Sequence, residues 1–243
     1  MSDLNGKRYW LVGASDGLGA ALARQLSEAG VHVVLSARSK DKLQALADAL
    51  PGPADVQPID VSDDASVRAA AQAVGEVDGL VYLAGVYWPM TAQEWNADQA
   101  TAMADVNFTG VFRVLGQVVP AMVARDAGHI VITGSLSGFR GLPGTIGYVA
   151  SKAGVMALAE SLHADLHRTG VKVQLANPGF IRTRLTDKND FSMPFLMEPE
   201  DAARHILTHM RSNRFARSFP TPFGWIFRLS RLLPEWAYLR IFT

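Results

Sequence analysis

Short β-branched runs alternate along this chain with longer stretches in which Ala and Leu recur at helical spacing. The runs at 8–12, 31–36, 80–83, 129–133 and 171–175 are nearly continuously apolar, so strands formed from them must be covered on both faces. A sixth run, 55–59, carries Pro58 and belongs at a sheet edge or a bulge. Helical spacing occupies 17–29, 40–50, 63–74, 94–124, 146–169 and 199–211. Buried strands separated by helices predict an α/β fold with a doubly wound, mostly parallel sheet of about seven strands. Residues 1–212 read as one domain, and 213–243 as a C-terminal extension of it.

Composition narrows the function. The 243 residues carry 23 Lys and Arg against 23 Asp and Glu. Zero net charge argues against a nucleic-acid partner, whose binding proteins usually show a basic face. The chain has no cysteine. That excludes a disulfide scaffold, a thiolate nucleophile and a cysteine zinc site, and it fits a cytoplasmic compartment. The first six residues are polar, without the apolar core of a secretory signal. The longest uncharged run, 79–93, is too short to span a bilayer. A soluble or membrane-peripheral protein is expected.

The first strand runs directly into Gly13-Ala14-Ser15-Asp16-Gly17-Leu18-Gly19 and then into an Ala-rich helix. Glycines between a strand and a helix let the backbone turn tightly against a pyrophosphate, whose charge meets free amides at the helix start. This position predicts a Rossmann-type dinucleotide site. The second strand ends at Ser36-Ala37-Arg38. A carboxylate there would accept from a ribose 2′-hydroxyl and favour NAD(H). An arginine fork suits a 2′-phosphate instead, so NADP(H) is expected. The competing reading of Arg38 is a solvated side chain at a helix start.

Tyr148 and Lys152 stand four residues apart in a helical stretch, hence on one face. An ammonium near a phenol stabilises the phenolate and lowers a pKa that is ordinarily about 10. Such a pair exchanges a proton with a carbonyl or an alcohol. The bland alternative is a surface Tyr–Lys contact. Ser135 follows the strand run 129–133, thirteen residues before Tyr148, where its hydroxyl can polarise a carbonyl. Asn107 is a poor helix former inside a long helical stretch, suited to holding a water behind Lys152.

Taken in order, these pieces resemble the short-chain dehydrogenase/reductase family over residues 6–211. The matching elements are the 13–19 loop, Asp60-Val61, Ala84-Gly85, Asn107, Ser135, Tyr148-x-x-x-Lys152 and Asn177-Pro178-Gly179-Phe180-Ile181-Arg182-Thr183. The resemblance implies that Asn107, Ser135, Tyr148 and Lys152 form a catalytic tetrad. Tyr148 would donate the proton, and Lys152 would bind the nicotinamide ribose and lower the tyrosine pKa. Gly13, Ser15, Asp16, Gly17, Leu18 and Gly19 would cradle the cofactor. Asp60 and Val61 would meet the adenine, and Ala84 and Gly85 the ribose. Pro178, Gly179, Ile181 and Thr183 would hold the carboxamide and phosphate end. A small-molecule carbonyl or alcohol is the implied substrate, in a homo-oligomer, dimer or tetramer. Three residues depart from the family's pattern. Val12 replaces a threonine, Tyr82-Leu83 replaces Asn-Asn before Ala-Gly, and Asp16 sits where some NADP-preferring members carry a basic residue.

Several features remain open. His163/His167 and His205/His209 have i,i+4 spacing but no third ligand, so no metal is expected. Met193-Pro194-Phe195-Leu196-Met197 falls where the family places a flap, and suggests a hydrophobic substrate or simple core packing. In the tail, Trp225, Leu229, Leu232, Trp236 and Leu239 fall on one face if the segment is helical, with Pro234 dividing it into two helices. Residues 224–243 read either as a cover over this or a twin subunit or as a peripheral membrane contact. The whole chain reads as an NADP(H)-dependent oxidoreductase. The alternatives are a nucleotide-sensing regulator without turnover and a membrane-peripheral protein docked by its tail.

Overall fold

β1 (Arg8–Val12) is hydrogen-bonded on both edges, and its residues alternate between two cores. Trp10 and Val12 face one side, Tyr9 and Leu11 the other, as the two-residue period of a strand requires. The computed structural model describes residues 3–242. Among these, β1 joins β2 (His32–Ser36), β3 (Ala54–Val56), β4 (Gly79–Tyr82), β5 (Gly128–Thr133), β6 (Val171–Pro178) and β7 (Ala216–Phe219). The pairs are all parallel, in the order β3-β2-β1-β4-β5-β6-β7. The chain winds outward from β1 to β3, then returns to lay β4 on the other edge of β1. That reversal opens a crevice at the C-terminal ends of β1 and β4.

One face is covered by α1 (Gly17–Glu28), α2 (Lys40–Asp48) and α7 (Pro199–Met210), through Leu22, Leu26, Leu43 and Ile206. The other carries α3 (Asp64–Val74), α5 (Gly110–Ala124) and α6 (Ile146–Leu166), through Val67, Val111, Val114 and Val155. α4 (Ala97–Ala104) runs into α5 through a π-helical turn at Asp105–Thr109, so 97–124 forms one continuous helix. It is long and apolar enough to cross a membrane by length and composition. Here its Val111, Val114, Leu115, Val118 and Met122 pack into the core.

β3 is shorter than the 55–59 run suggested and lies at the sheet edge, ending before Pro58. β7 had no counterpart among the sequence runs, because Ala-Arg-Ser-Phe has only Phe219 buried. The tail forms α8 (Thr221–Ser230) and α9 (Glu235–Phe242), broken at Pro234. Their buried apolar side chains are Phe223, Phe227 and Tyr238, whereas the expected Trp225–Leu239 stripe faces solvent.

Candidate active site

α1 begins where β1 ends. Asp16 is its N-cap and accepts from the Gly17 amide at 2.8 Å, leaving the other amides of the first turn at the crevice. Gly13 has φ +99°, and a Cβ there would lie 2.4 Å from the Ala84 nitrogen. Gly17 has φ +49°, and its Cβ would meet the Thr183 methyl at 2.8 Å. These two glycines let the loops after β1, β4 and β6 close on one another.

A 410 Å³ cleft runs along this edge. Its walls are Gly13, Ser15, Asp16, Gly17, Leu18 and Gly19 from the first loop, Arg38 after β2, and Asp60 and Val61. Ala84, Gly85, Ser135, Tyr148, Lys152, Pro178, Gly179, Ile181 and Thr183 complete it. Asn107 stands behind the wall, fully buried in the π-helical turn. It accepts from the Val86 amide at 2.7 Å and donates to the Val86 carbonyl at 2.9 Å and to Ser151 Oγ at 3.1 Å. Ser151 in turn donates to the Tyr148 carbonyl at 2.7 Å. Asn107 therefore braces the helical turn that bears Tyr148 and Lys152.

Tyr148 stands among Tyr87, Met90, Met103, Trp88 and Leu185, with the Tyr87 ring edge-on at 5.1 Å. Burial pushes its phenol up to about 12, against the pull of a hydrogen bond with Ser135. The phenol is raised where proximity to Lys152 was expected to lower it. The correction is physical: Lys152 Nζ donates to the Thr133 carbonyl at 2.9 Å and lies 5.9 Å from the phenol ring centroid. Burial lowers Lys152 itself to about 8.

The outer part of the cleft holds two cations that sequence reasoning passed over, Lys42 and Arg184. Asp16 pairs with Arg184 at 2.7 Å and with Lys42 at 3.5 Å. Partial burial opposes ionisation of Asp16, but the Gly17 amide, Arg184 and Lys42 together hold it below the usual carboxylate range. Its charge is thereby compensated where it was expected to oppose a phosphate. Lys42 lies in the first turn of α2, just beyond Arg38, a closeness in sequence that could have flagged it; Arg184 carried no local signal. Asp60 is held low by the Ser62 hydroxyl, partial burial opposing, with the Ser62 amide and Arg38 assisting.

The family departures are absorbed locally. Trp10 Nε1 donates to Ser36 Oγ at 2.8 Å, and Ser36 donates to the Gln57 carbonyl at 2.6 Å, tying β1, β2 and the chain after β3. Tyr82 is buried and donates to the Val106 carbonyl at 2.9 Å. Over the cleft, Lys188 donates to the Tyr87 carbonyl at 2.6 Å and lies 4.2 Å from the Trp88 ring centroid, fastening the start of the flap. In the flap itself Met197 is buried and Phe195 is exposed. Of the paired histidines, His163 stacks on Phe215 and His205 on Phe219.

A sequence model of the short chain dehydrogenases matches residues 7–192. The chain belongs to that family. An uncharacterized oxidoreductase of Myxococcus xanthus is 37% identical over 242 residues, 97% of this chain and 96% of that one. Among solved structures, a short-chain dehydrogenase/reductase from Burkholderia phymatum in complex with NAD superposes with TM-score 0.87 at 25% identity, covering 96% of this chain and 95% of that one. A short-chain dehydrogenase from Sphingobium yanoikuyae in complex with NADPH gives 0.82 at 26% identity, covering 88% of each chain. The residues present fit a nicotinamide dinucleotide. The α1 amides offer donors to a pyrophosphate, and Arg38 and Lys42 offer cations at the β2 end.

Proposed function

We propose that the protein is an NADP(H)-dependent oxidoreductase that interconverts a carbonyl and an alcohol on a hydrophobic substrate. One observation carries the reading: Ser135, Tyr148 and Lys152 share a single cleft with Arg38 and Lys42. Arg38 follows β2 and Ser135 follows β5, three strand spacings apart, roughly 14 Å at about 4.8 Å per strand. That separation suits an extended dinucleotide, with its adenosine end near Arg38 and its reactive end near Tyr148.

A reduced nicotinamide, when bound there, supplies the hydride. Ser135 donates a hydrogen bond to the substrate oxygen and orients the carbonyl. Tyr148 gives its proton to that oxygen as it gains negative charge. A phenol raised to about 12 keeps its proton at neutral pH, which suits an acid in the reductive direction. Lys152, held by Thr133, places positive charge behind the phenol and steadies the phenolate left after transfer. Asn107 is a positioning residue, acting through Ser151 and Val86. Apolar Met90, Trp88, Leu185 and Met103 around Tyr148 favour a hydrophobic substrate.

Support for NADP(H) over NAD(H) comes from Arg38 and Lys42 together with Ala37 in place of a carboxylate. We read 213–243 as an extension of the catalytic domain, and the cysteine-free composition as supporting a cytoplasmic location. The test is NADPH consumption by purified protein against ketones, aldehydes and 3-oxoacyl thioesters. Turnover with an apolar carbonyl, lost in Tyr148→Phe, supports the reading. NADPH binding without turnover on any of them points to a nucleotide sensor.

A further inference from the structure

The C-terminal helices have one anchored side and one bare side. On the anchored side Phe223 and Phe227 pack with Leu136, Phe139 and Phe180. Arg140 donates to the carbonyls of Ser230 and Leu233, the latter at 2.9 Å, and its guanidinium lies 3.9 Å from the Tyr238 ring centroid. Tyr238 donates back to the Gly141 carbonyl. The tail is thus held rigidly on the segment between Ser135 and Tyr148.

The bare side carries Trp225, Ile226, Leu229, Leu232, Trp236 and Ile241, between 52% and 80% exposed. Isolated apolar residues at a surface are ordinary; a cluster on two successive short helices marks an interaction face. Its charge says what covers it. Residues 224–243 hold three arginines and one glutamate, net +2, while the whole chain is neutral, so the rest of it carries −2. All three arginines are exposed among the apolar side chains, Arg228 in α8, Arg231 just after it and Arg240 in α9.

We propose that α8 and α9 form a docking face for an anionic lipid bilayer. Trp225, Leu232 and Trp236 enter the boundary between headgroups and acyl chains, and Arg228, Arg231 and Arg240 reach up to the lipid phosphates. Tryptophan suits that depth, because its ring is apolar and its N–H is satisfied at the headgroups. Arginine extends its aliphatic stem along apolar surface with the charge outward. A second copy of the chain is the poorer occupant. A two-fold contact would bring the same arginines to both sides, with Glu235 alone to offset them on each, whereas interface cores are depleted of charge.

The experiment is co-sedimentation of the full chain with phosphatidylcholine vesicles, with and without phosphatidylglycerol. The protein should pellet with the phosphatidylglycerol vesicles, and less so as salt is raised. Leu232→Glu combined with Trp236→Glu should weaken binding about tenfold or more, since each places a charge at the lipid boundary. Both positions are exposed, so the melting temperature and NADPH affinity of that variant should match wild type. Arg228→Glu with Arg231→Glu should abolish the preference for phosphatidylglycerol. Pelleting requires no turnover, so this result is independent of the reductase reading. Wild-type protein that stays in solution, or a double variant that pellets as well as wild type, overturns the proposal. Self-association removed by Leu232→Glu in the absence of lipid binding also overturns it and assigns the face to a second copy.

Discussion

The Lys152 ammonium is anchored on the Thr133 carbonyl, 2.9 Å away, at the end of β5. Two residues further on, Ser135 lines the same cleft as Tyr148 and draws its phenol down against burial. A single strand end therefore sets where the ammonium stands relative to the phenol. The Lys152 ammonium stands 5.9 Å from the phenol ring centroid.

The pH dependence of reduction follows from this arrangement. Below about 8 Lys152 is charged, and Tyr148, at about 12, holds its proton; both favour proton donation. As pH rises through about 8 the ammonium is lost first. kcat/KM for carbonyl reduction should fall on an alkaline limb near 8. Lys152→Arg, whose charge persists to far higher pH, should carry that limb upward. A limb unmoved in Lys152→Arg would remove Lys152 from the account.

Arg38→Ala should raise KM for NADPH while leaving kcat nearly unchanged, because a 2′-phosphate is remote from the reacting atoms. Hydrogen bonds to charged groups contribute about 1.5–3 kcal/mol, so the loss in kcat/KM should be roughly ten- to hundredfold. The NADH value should hardly move. Equal losses with both cofactors would show that Arg38 reads something other than the phosphate.

Asn107→Ala should cost stability as well as rate. It strips the Val86 amide and carbonyl of their partner in a fully buried position. An unsatisfied buried polar group costs about 1–3 kcal/mol, a drop in melting temperature of roughly 2–10 °C for a chain this size. Calorimetry beside kcat measures both effects, and unchanged values of each would leave the brace without a role.

Acid should destabilise the fold before its carboxylates protonate. Burial lowers His129 to about 3 and His209 to about 4. The unfolded chain binds these protons near 6.5, the native state only below about 4, so stability is lost as pH falls between those values. Melting temperature against pH should slope downward there, and His209→Leu should flatten the slope. A profile indifferent to that substitution would contradict the assignment.

Much of this molecule was legible because its signals are local. The alternation of Trp10 and Val12 with Tyr9 and Leu11, the glycines at 13 and 17, and the Tyr148–Lys152 spacing each lie within a few residues. β7 was hidden because three of its four residues are not fully buried. The Asp16–Arg184 pair spans 168 positions and leaves no pattern in the chain. The π-helical turn at Asn107 retains a helical sequence signature, so only its hydrogen bonds reveal it. α8 is apolar on both sides, and periodicity alone does not tell which side meets the protein; Phe223 and Phe227 do, and Trp225 and Leu229 do not. The phenol's upward shift arises from burial, with Tyr87 adding to it, among groups that only folding brings to Tyr148.

The central claim is that Tyr148 delivers the proton. It is tested most directly by turnover of Tyr148→Phe with NADPH and the best carbonyl substrate of the wild type, alongside NADPH affinity measured by fluorescence. The substitution removes one hydroxyl from a partly buried ring and should leave the fold and NADPH binding intact. kcat should fall by about 10²–10⁴. A variant with unchanged affinity that keeps a third of wild-type turnover would contradict the claim.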